Sequence, residues 1–362
     1  MADGAGSSKV QDREAALSRT LARHPRALGG DTARALPRAA VSLTDMVINN
    51  ASGRVEHAVP KRKPPWLRAR VPSGPGYERL KAIVSEHRLH TVCEEAGCPN
   101  MGECWGRGVA TIMILGDTCT RACGFCNVKT GRPPTLDRDE PRRVAESLRL
   151  MALKHVVITS VNRDELPDGG AGIWAETIVR TRDACPGMTI EVLVPDFLGD
   201  LAAVQMVIDA RPDIIAHNLE TVRRMHPAVR PSAQYERSID VLRHIKSQGV
   251  IAKTGIMVGI GERDDEVLEA MRDVVEGTRV PAADAQGPAS RAASCEILTI
   301  GQYLQPTRNH LPVERFVTPE QFERYRAEGL ALGFKVVESG PLVRSSYHAD
   351  HQADVLARLR QG

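Results

Sequence analysis

Three cysteines, Cys119, Cys123 and Cys126, stand in DTCTRACGFCNVK with the spacing C-x3-C-x2-C. Three thiolates in one short loop can wrap three irons of a 4Fe–4S cluster and leave the fourth iron open, and an open iron is a place for chemistry. Structural zinc is the rival occupant, but it wants four closed ligands, usually in paired C-x2-C knuckles. Only Cys123 and Cys126 have that spacing, and no His stands in register. A second triad, Cys93, Cys98 and Cys104, follows C-x4-C-x5-C in TVCEEAGCPNMGECW. Six of the eight cysteines therefore fall between positions 93 and 126 of a 362-residue chain. With no export signal in view, that density points to metal or redox chemistry before disulfides. Cys185 and Cys295, isolated at a helix end and a strand start, read as small buried hydrophobes.

The elements that must position these residues follow from periodicity. Short aliphatic runs alternate with amphipathic stretches from Ala110 onward, the pattern of a parallel sheet wound with helices. Strands are expected at 110–116, 155–161, 189–195, 214–220, 252–259 and 296–304, with helices near 139–153, 172–184, 199–210, 234–248 and 264–277. Six such units fit an α/β partial (β/α)6 barrel of the TIM type; a doubly wound open sheet is the competing arrangement. Polar residues gather at the C-terminal strand ends: Asp117, Asn162, Arg163, Asp164, Asn218, Glu220, Glu262, Gln302 and Gln305. That is the end at which parallel α/β folds place their sites.

The C-x3-C-x-aromatic-C pattern, with Phe125 in the aromatic place, resembles the radical S-adenosylmethionine (SAM) superfamily. Adding the upstream triad, SVNRDELPDGGA, GQYLQPT and the C-terminal GPLVRSSYHAD, residues 60–355 resemble the lipoyl synthases closely. The resemblance implies two 4Fe–4S clusters and SAM as cofactors. Cys119, Cys123 and Cys126 would hold the SAM cluster, whose electron cleaves the sulfonium to a 5′-deoxyadenosyl radical. Cys93, Cys98 and Cys104 would hold an auxiliary cluster, its fourth iron bound by Ser346, the second serine after Arg344. That cluster would be the sulfur source for a sulfurtransferase reaction at C6 and C8 of an octanoyl chain on a lysine of a lipoyl carrier domain. The carriers implied are E2 subunits of 2-oxoacid dehydrogenases and the glycine cleavage H protein. An electron donor such as ferredoxin or flavodoxin and an iron–sulfur carrier complete the partners. Gly255, Met257, Gly259 and Glu262 in GIMVGIGE resemble the strand-end pattern that approaches SAM; alone they fit an ordinary Gly-rich turn equally well. Asn218 and Glu220 in HNLETV are candidates for hydrogen bonds to the SAM amino group or ribose, or for a helix N-cap set. The rivals are a biotin synthase-like sulfur-inserting enzyme, without this pair of signatures, and a zinc-stabilised binding module.

Composition bounds the rest. Hydrophobic residues are 42% and charged residues 26%, a globular balance. Forty-eight basic against 45 acidic residues leave +3, too little to drive nucleic-acid or membrane binding by bulk charge. Aromatics at 4% argue against stacking platforms for single strands, and no apolar run approaches the length of a membrane span. Residues 1–60 read as a poorly ordered extension with local helix near 12–23; residues 61–108 as a basic, Pro-rich strap and the first cysteine motif; 109–317 as the barrel; 318–362 as a helix, strand and RSSY segment closing the auxiliary site. The five arginines Arg19, Arg23, Arg26, Arg34 and Arg38 suggest organelle targeting, mitochondrial or plastid, but Asp3, Asp12, Glu14 and Asp31 oppose it, so a cytoplasmic location is expected. Residues 278–294, rich in Ala, Pro and Gly, read as a loop on the barrel rim away from the chemistry. His348 and His351 beside Asp350 read as solvated or carrier-facing, and Lys61, Arg62, Lys63, Arg68 and Arg70 as a solvated basic face able to steer an acidic carrier.

Overall fold

The computed structural model describes residues 62–68, 72–87, 90–95, 97–279 and 294–361, with 356–361 described by backbone only. The expectations for residues 1–60, Lys61, Arg70 and most of 278–294 lie outside the described residues. In chain order the elements used below are α1 (Pro75–Glu86), β1 (His90–Thr91), α2 (Val92–Glu95), α3 (Met101–Gly106), β2 (Val109–Ile114), β3 (Thr118–Cys119), β4 (Lys129–Thr130), α4 (Glu140–Met151), β5 (His155–Ser160), α5 (Ala171–Ala184), β6 (Thr189–Leu193), α6 (Leu201–Asp209), β7 (Ile214–Ala216), α7 (His226–Val229), α8 (Tyr235–Ser247), β8 (Ile251–Val258), α9 (Asp264–Gly277), β9 (Ile297–Gln302), α10 (Pro319–Leu332), β10 (Val336–Gly340) and α11 (Ala349–Gln361).

Continuous apolar runs such as Val109–Ile114, buried at every position, suit strands covered on both faces. The main sheet runs β1-β2-β5-β6-β7-β8-β9-β10. Every neighbouring pair is parallel except β1 with β2. Among the described residues strand order never reverses, so they hold no switch point of the kind a doubly wound sheet requires. The sheet is the wall of an open, partial barrel. The six expected strands are present, and the structure extends them with β10 as a seventh parallel strand and β1 as an antiparallel edge. The expected strand 214–220 stops at Ala216 because the chain turns out after it: Glu220 has φ +68°, outside the strand region. A single bridge from Glu220 to Ile256 then resumes the pairing.

Side chains alternate across the wall. On β8, Ala252, Ile256 and Val258 join the layer beneath the helices, leaving Lys253, Gly255 and Met257 on the inner face. The helices bring matching stripes: Val144, Leu148 and Met151 of α4 and Val267, Met271 and Val274 of α9 are buried in that layer. Each such side chain contributes roughly 1.5–3 kcal/mol by leaving water. Helix ends are set locally. Asp200 caps α6 by accepting from Ala202 N at 2.9 Å, and α10 starts at Thr318 and stops at Gly333, whose φ of 115° only glycine adopts freely. Inside, Ile214, Ile251, Ile297 and Val336 form an apolar floor packed by Ala353 and Val355 of α11, so the last helix plugs the N-terminal end of the barrel. Above the floor Lys253 donates to Glu191 at 2.8 Å, both fully buried, and His155 lies 3.6 Å from Glu191.

Candidate active site

The loop from Cys119 to Cys126 begins in β3, beyond the C-terminal end of β2, and is held from three sides. Asn162, just after β5, donates from its backbone N to Cys119 Sγ at 3.3 Å, and Arg121 N does so at 3.4 Å. The Arg121 side chain turns inward and pairs with Asp164 at 2.7 Å and with Asp196 at 2.7 Å; Asp196 also meets Arg237 at 3.1 Å. These charges are buried and mutually satisfied, which ties the loop to the ends of β5 and β6. Burial opposes the Asp196 carboxylate, but Arg121 beside it wins and holds its pKa well below the usual range. On the far side Phe125 fits an apolar pocket of Val229, Ile260, Tyr303 and Leu311. Leu311 N donates to Gly124 O at 3.0 Å, and His310 Nε2 donates to the Cys126 carbonyl at 2.9 Å. A Cβ at Gly124 would stand 2.8 Å from Leu311 Cδ1, so a side chain there would have to displace Leu311.

Cys123 feels the charge of Cys126 and Cys119, and Cys126 that of Cys119. Burial pushes Cys123 up to about 12 and Cys126 up to about 11, so these sulfurs are poor thiolates unless a cation sits among them. The upstream triad behaves alike: burial pushes Cys93 up to about 11 and Cys104 up to about 12, with Cys98 raised as well, and the three act on each other. Among the described residues no three His, Cys, Asp or Glu side chains converge as a single metal ion needs. A cubane presents a separate iron to each thiolate and asks for no such convergence. The donor sets thus suit two iron–sulfur clusters better than zinc.

The C-terminal segment wraps the upstream triad. Asn100 Nδ2 donates to Leu342 O at 2.6 Å, Tyr347 Oη reaches Glu103 at 3.3 Å, and Arg107 grips Asp350 through 2.9 and 3.1 Å contacts. His348 stacks on Tyr347 with ring centroids 3.8 Å apart and lies 3.4 Å from Glu103 and 3.6 Å from Glu338. His348 and Asp350 are therefore parts of this clamp rather than free surface. Ser346 sits in the turn between Arg344, whose charge acts on Cys98, and Tyr347. The segment also reaches the end of β7, because Ser345 Oγ accepts from Asn218 Nδ2 at 2.8 Å.

The remaining sequence candidates divide. Asn218 Oδ1 is buried without a partner, and Glu220, bonded to Asn218 Nδ2 at 3.0 Å, faces Cys126 and Arg230; burial raises its pKa despite Arg230. An orphaned acceptor beside a carboxylate fits the ammonium group of an amino acid. Gly255 lies under them: a Cβ there would be 2.9 Å from Asn218 Oδ1 and 2.7 Å from Thr299 Oγ1. Gly259 and Glu262 build a turn. The Glu262 carboxylate accepts from the backbone N of Gly259, Ile260 and Gly261 at 2.7, 3.0 and 3.2 Å and pairs with Arg315 at 3.0 Å. Met257 packs with the Phe125 pocket. Arg163 turns away to Glu165, Leu115 O and Pro134 O, and Gln302 braces backbone carbonyls at 258, 303 and 315. Sequence reasoning passed over Arg121, Asp196 and Arg230, which carry no motif of their own; the one signal was that Arg121 lies inside the cysteine loop.

Comparison with known proteins agrees with this construction. A family model described as the Radical SAM superfamily matches residues 113–274, and one described as the N-terminal domain of lipoyl synthase matches residues 41–98. A lipoyl synthase of Rubrobacter xylanophilus is 55% identical over 294 residues, 81% of this chain and 87% of that one. That of Thermus thermophilus is 53% identical over 296 residues, 81% of this chain and 87% of that one. A mitochondrial lipoyl synthase of Nematostella vectensis is 50% identical over 298 residues, 82% and 97%. With two cysteine triads, a radical SAM barrel wall and relatives of this identity over four fifths of its length, the chain belongs to the lipoyl synthase family of radical SAM enzymes.

Proposed function

We propose that this chain inserts two sulfur atoms, at C6 and C8, into an octanoyl chain carried on a lysine of a lipoyl carrier domain, with Cys119, Cys123 and Cys126 holding the SAM cluster and Cys93, Cys98, Cys104 and Ser346 the auxiliary one. When bound, the first group supplies the electron that cleaves SAM and the second supplies the sulfur. The observation that carries the residue assignment is the C-terminal segment at 342–350. It is clamped to the upstream triad through Asn100, Glu103 and Arg107 and to the SAM side through Asn218.

The chain's own residues then have distinct tasks. Asn218 and Glu220 bind the ammonium of SAM, the orphaned Oδ1 accepting from it. Arg121, locked between Asp164 and Asp196, holds the cysteine loop against the ends of β5 and β6. Phe125, Leu311 and Tyr303 keep water from the loop. Ser346 would offer the auxiliary cluster an oxygen, the weakest donor of a thiolate-rich set and the one most easily given up. The carriers are E2 subunits and the glycine cleavage H protein, the electron donor a ferredoxin or flavodoxin, and an iron–sulfur carrier resupplies the auxiliary site; the setting is the cytoplasm. Among the described residues no helix is long and apolar enough to cross a membrane.

Anaerobic reconstitution tests the reading. About eight irons per chain, SAM cleavage, and lipoyl formation on an octanoylated carrier support it. About four irons, or zinc in their place, would overturn it.

A further inference from the structure

Several cationic side chains near the two triads have carboxylate partners, while Arg230 donates to the Asn218 and Leu219 carbonyls. Lys253 pairs with Glu191, Arg121 with Asp164 and Asp196, and Arg107 with Asp350. Arg344 differs. Among the described residues no carboxylate pairs with it, and its guanidinium donates from Nη1 to the adjacent Val343 carbonyl at 2.6 Å. The place of that guanidinium follows from Gly301, on the inner face of β9. A Cβ at Gly301 would stand 2.1 Å from Val343 O and 3.4 Å from Arg344 Nη1. The backbone at 343 therefore crosses directly over the strand, and the arginine head lies inside the barrel. Arg344 stands two residues before Ser346 and two after Leu342, whose carbonyl accepts from Asn100 Nδ2 at 2.6 Å, between Cys98 and Cys104 in the chain. A half-buried cation without a carboxylate partner has lost part of its hydration and calls for an anion. A cluster held by three thiolates and an alkoxide carries more ligand charge than its core offsets and has the converse need.

We infer that Arg344 is the counter-cation of the auxiliary cluster, a guanidinium laid over Gly301 beside the segment that carries Ser346, which offsets the cluster's negative charge. The inference rests on the proposed assignment of Cys93, Cys98, Cys104 and Ser346 to that cluster. It makes Arg344 a positioning residue: its attraction would hold the 343–346 segment beside the cluster. Gly301 belongs to the same device, since any side chain there would push Val343 and Arg344 off the strand.

The test uses the full chain with Cys119, Cys123 and Cys126 replaced by Ala, so that iron and the reduced-cluster EPR signal come from the auxiliary site alone. Arg344→Met and Arg344→Lys are added to this parent, and each protein is reconstituted anaerobically. Iron, sulfide, rate of iron loss to a chelator and midpoint potential are then measured. Removing a positive charge should make reduction harder, so Arg344→Met should shift the potential to more negative values and lose iron several-fold faster, while Arg344→Lys stays near the parent. A cluster lost in the Met variant but kept in the Lys variant supports the same conclusion. Equal potentials and equal iron loss in parent and Met variant would overturn it, as would equal impairment in Met and Lys, which would mean that shape and not charge is needed. A Cys93, Cys98 and Cys104→Ala chain that keeps all its iron would instead overturn the cluster assignment beneath it.

Discussion

Asn218 and Ser345 lie 127 positions apart, yet Asn218 Nδ2 donates to Ser345 Oγ at 2.8 Å, and the same amide group bonds Glu220 at 3.0 Å. One side chain thus joins the face proposed for SAM to the segment that carries Ser346. Ser345→Ala should remove one neutral hydrogen bond, about 1 kcal/mol or roughly a fivefold fall in lipoyl yield, with iron content unchanged. A loss as complete as that from Ser346→Ala, seen by mass spectrometry of the carrier, would show that Ser345 does more than hold the segment.

Ser346 is expected to separate the two clusters' roles. Ser346→Ala should still make 5′-deoxyadenosine, because Cys119, Cys123 and Cys126 are untouched, but should deliver little sulfur. Ser346→Cys is the sharper variant: a thiolate holds iron more firmly than an alkoxide and opposes the ligand loss. The expected protein is brown, cleaves SAM and forms little lipoyl product. Near-normal lipoylation by both variants would remove the serine from the ligand set.

Replacing Cys119, Cys123 and Cys126 together by Ala should abolish 5′-deoxyadenosine formation and leave roughly half the iron on the other triad. Chromatography of the nucleoside products and an iron count decide this. Persisting SAM cleavage would sink the assignment of the open iron to this loop.

Asp196 offers a pH-dependent check on the loop's anchor. Its carboxyl is held below the ordinary range because Arg121 outweighs the cost of burial, so its contribution to stability is full above the ordinary carboxyl pKa and fades as pH falls through and below it. Asp196→Asn should cost about 3 kcal/mol at pH 7 by leaving a buried charge less well paired. The gap from the parent in urea unfolding should narrow below pH about 4. A gap independent of pH would mean that the pair is not ionised as described.

Removing Ala282–Arg291 should be tolerated. The residues flanking the loop, at the end of α9 and the start of β9, place its attachment at the rim opposite the cysteine loop. Loss of lipoyl formation in a folded variant that keeps both clusters would show that this rim matters to the chemistry.

The cysteine spacings, the six aliphatic runs and the alternation of strand with helix were all legible in the chain, because each is a local property: ligand spacing within a loop, side-chain period along a strand, a stripe along a helix. Local reading also located RSSY and the polar strand ends. It could not order the strands or show that β10 continues the sheet and α11 plugs its floor, since pairing joins segments far apart in sequence. Nor could it tell which strand-end polar groups face the cysteines. Arg163 turns away to backbone carbonyls while Arg121, with no motif of its own, becomes the anchor between Asp164 and Asp196. Glu262 looked like a ligand contact because Gly-rich turns near ligands and Gly-rich turns held by a carboxylate share the same letters; its oxygens are engaged by three backbone N–H groups and Arg315. Residue types set which chemistry is available, but only the packing of distant segments, such as Val343 over Gly301 and Ser345 against Asn218, decides which groups meet, because a charge or hydrogen bond acts across space and not along the chain.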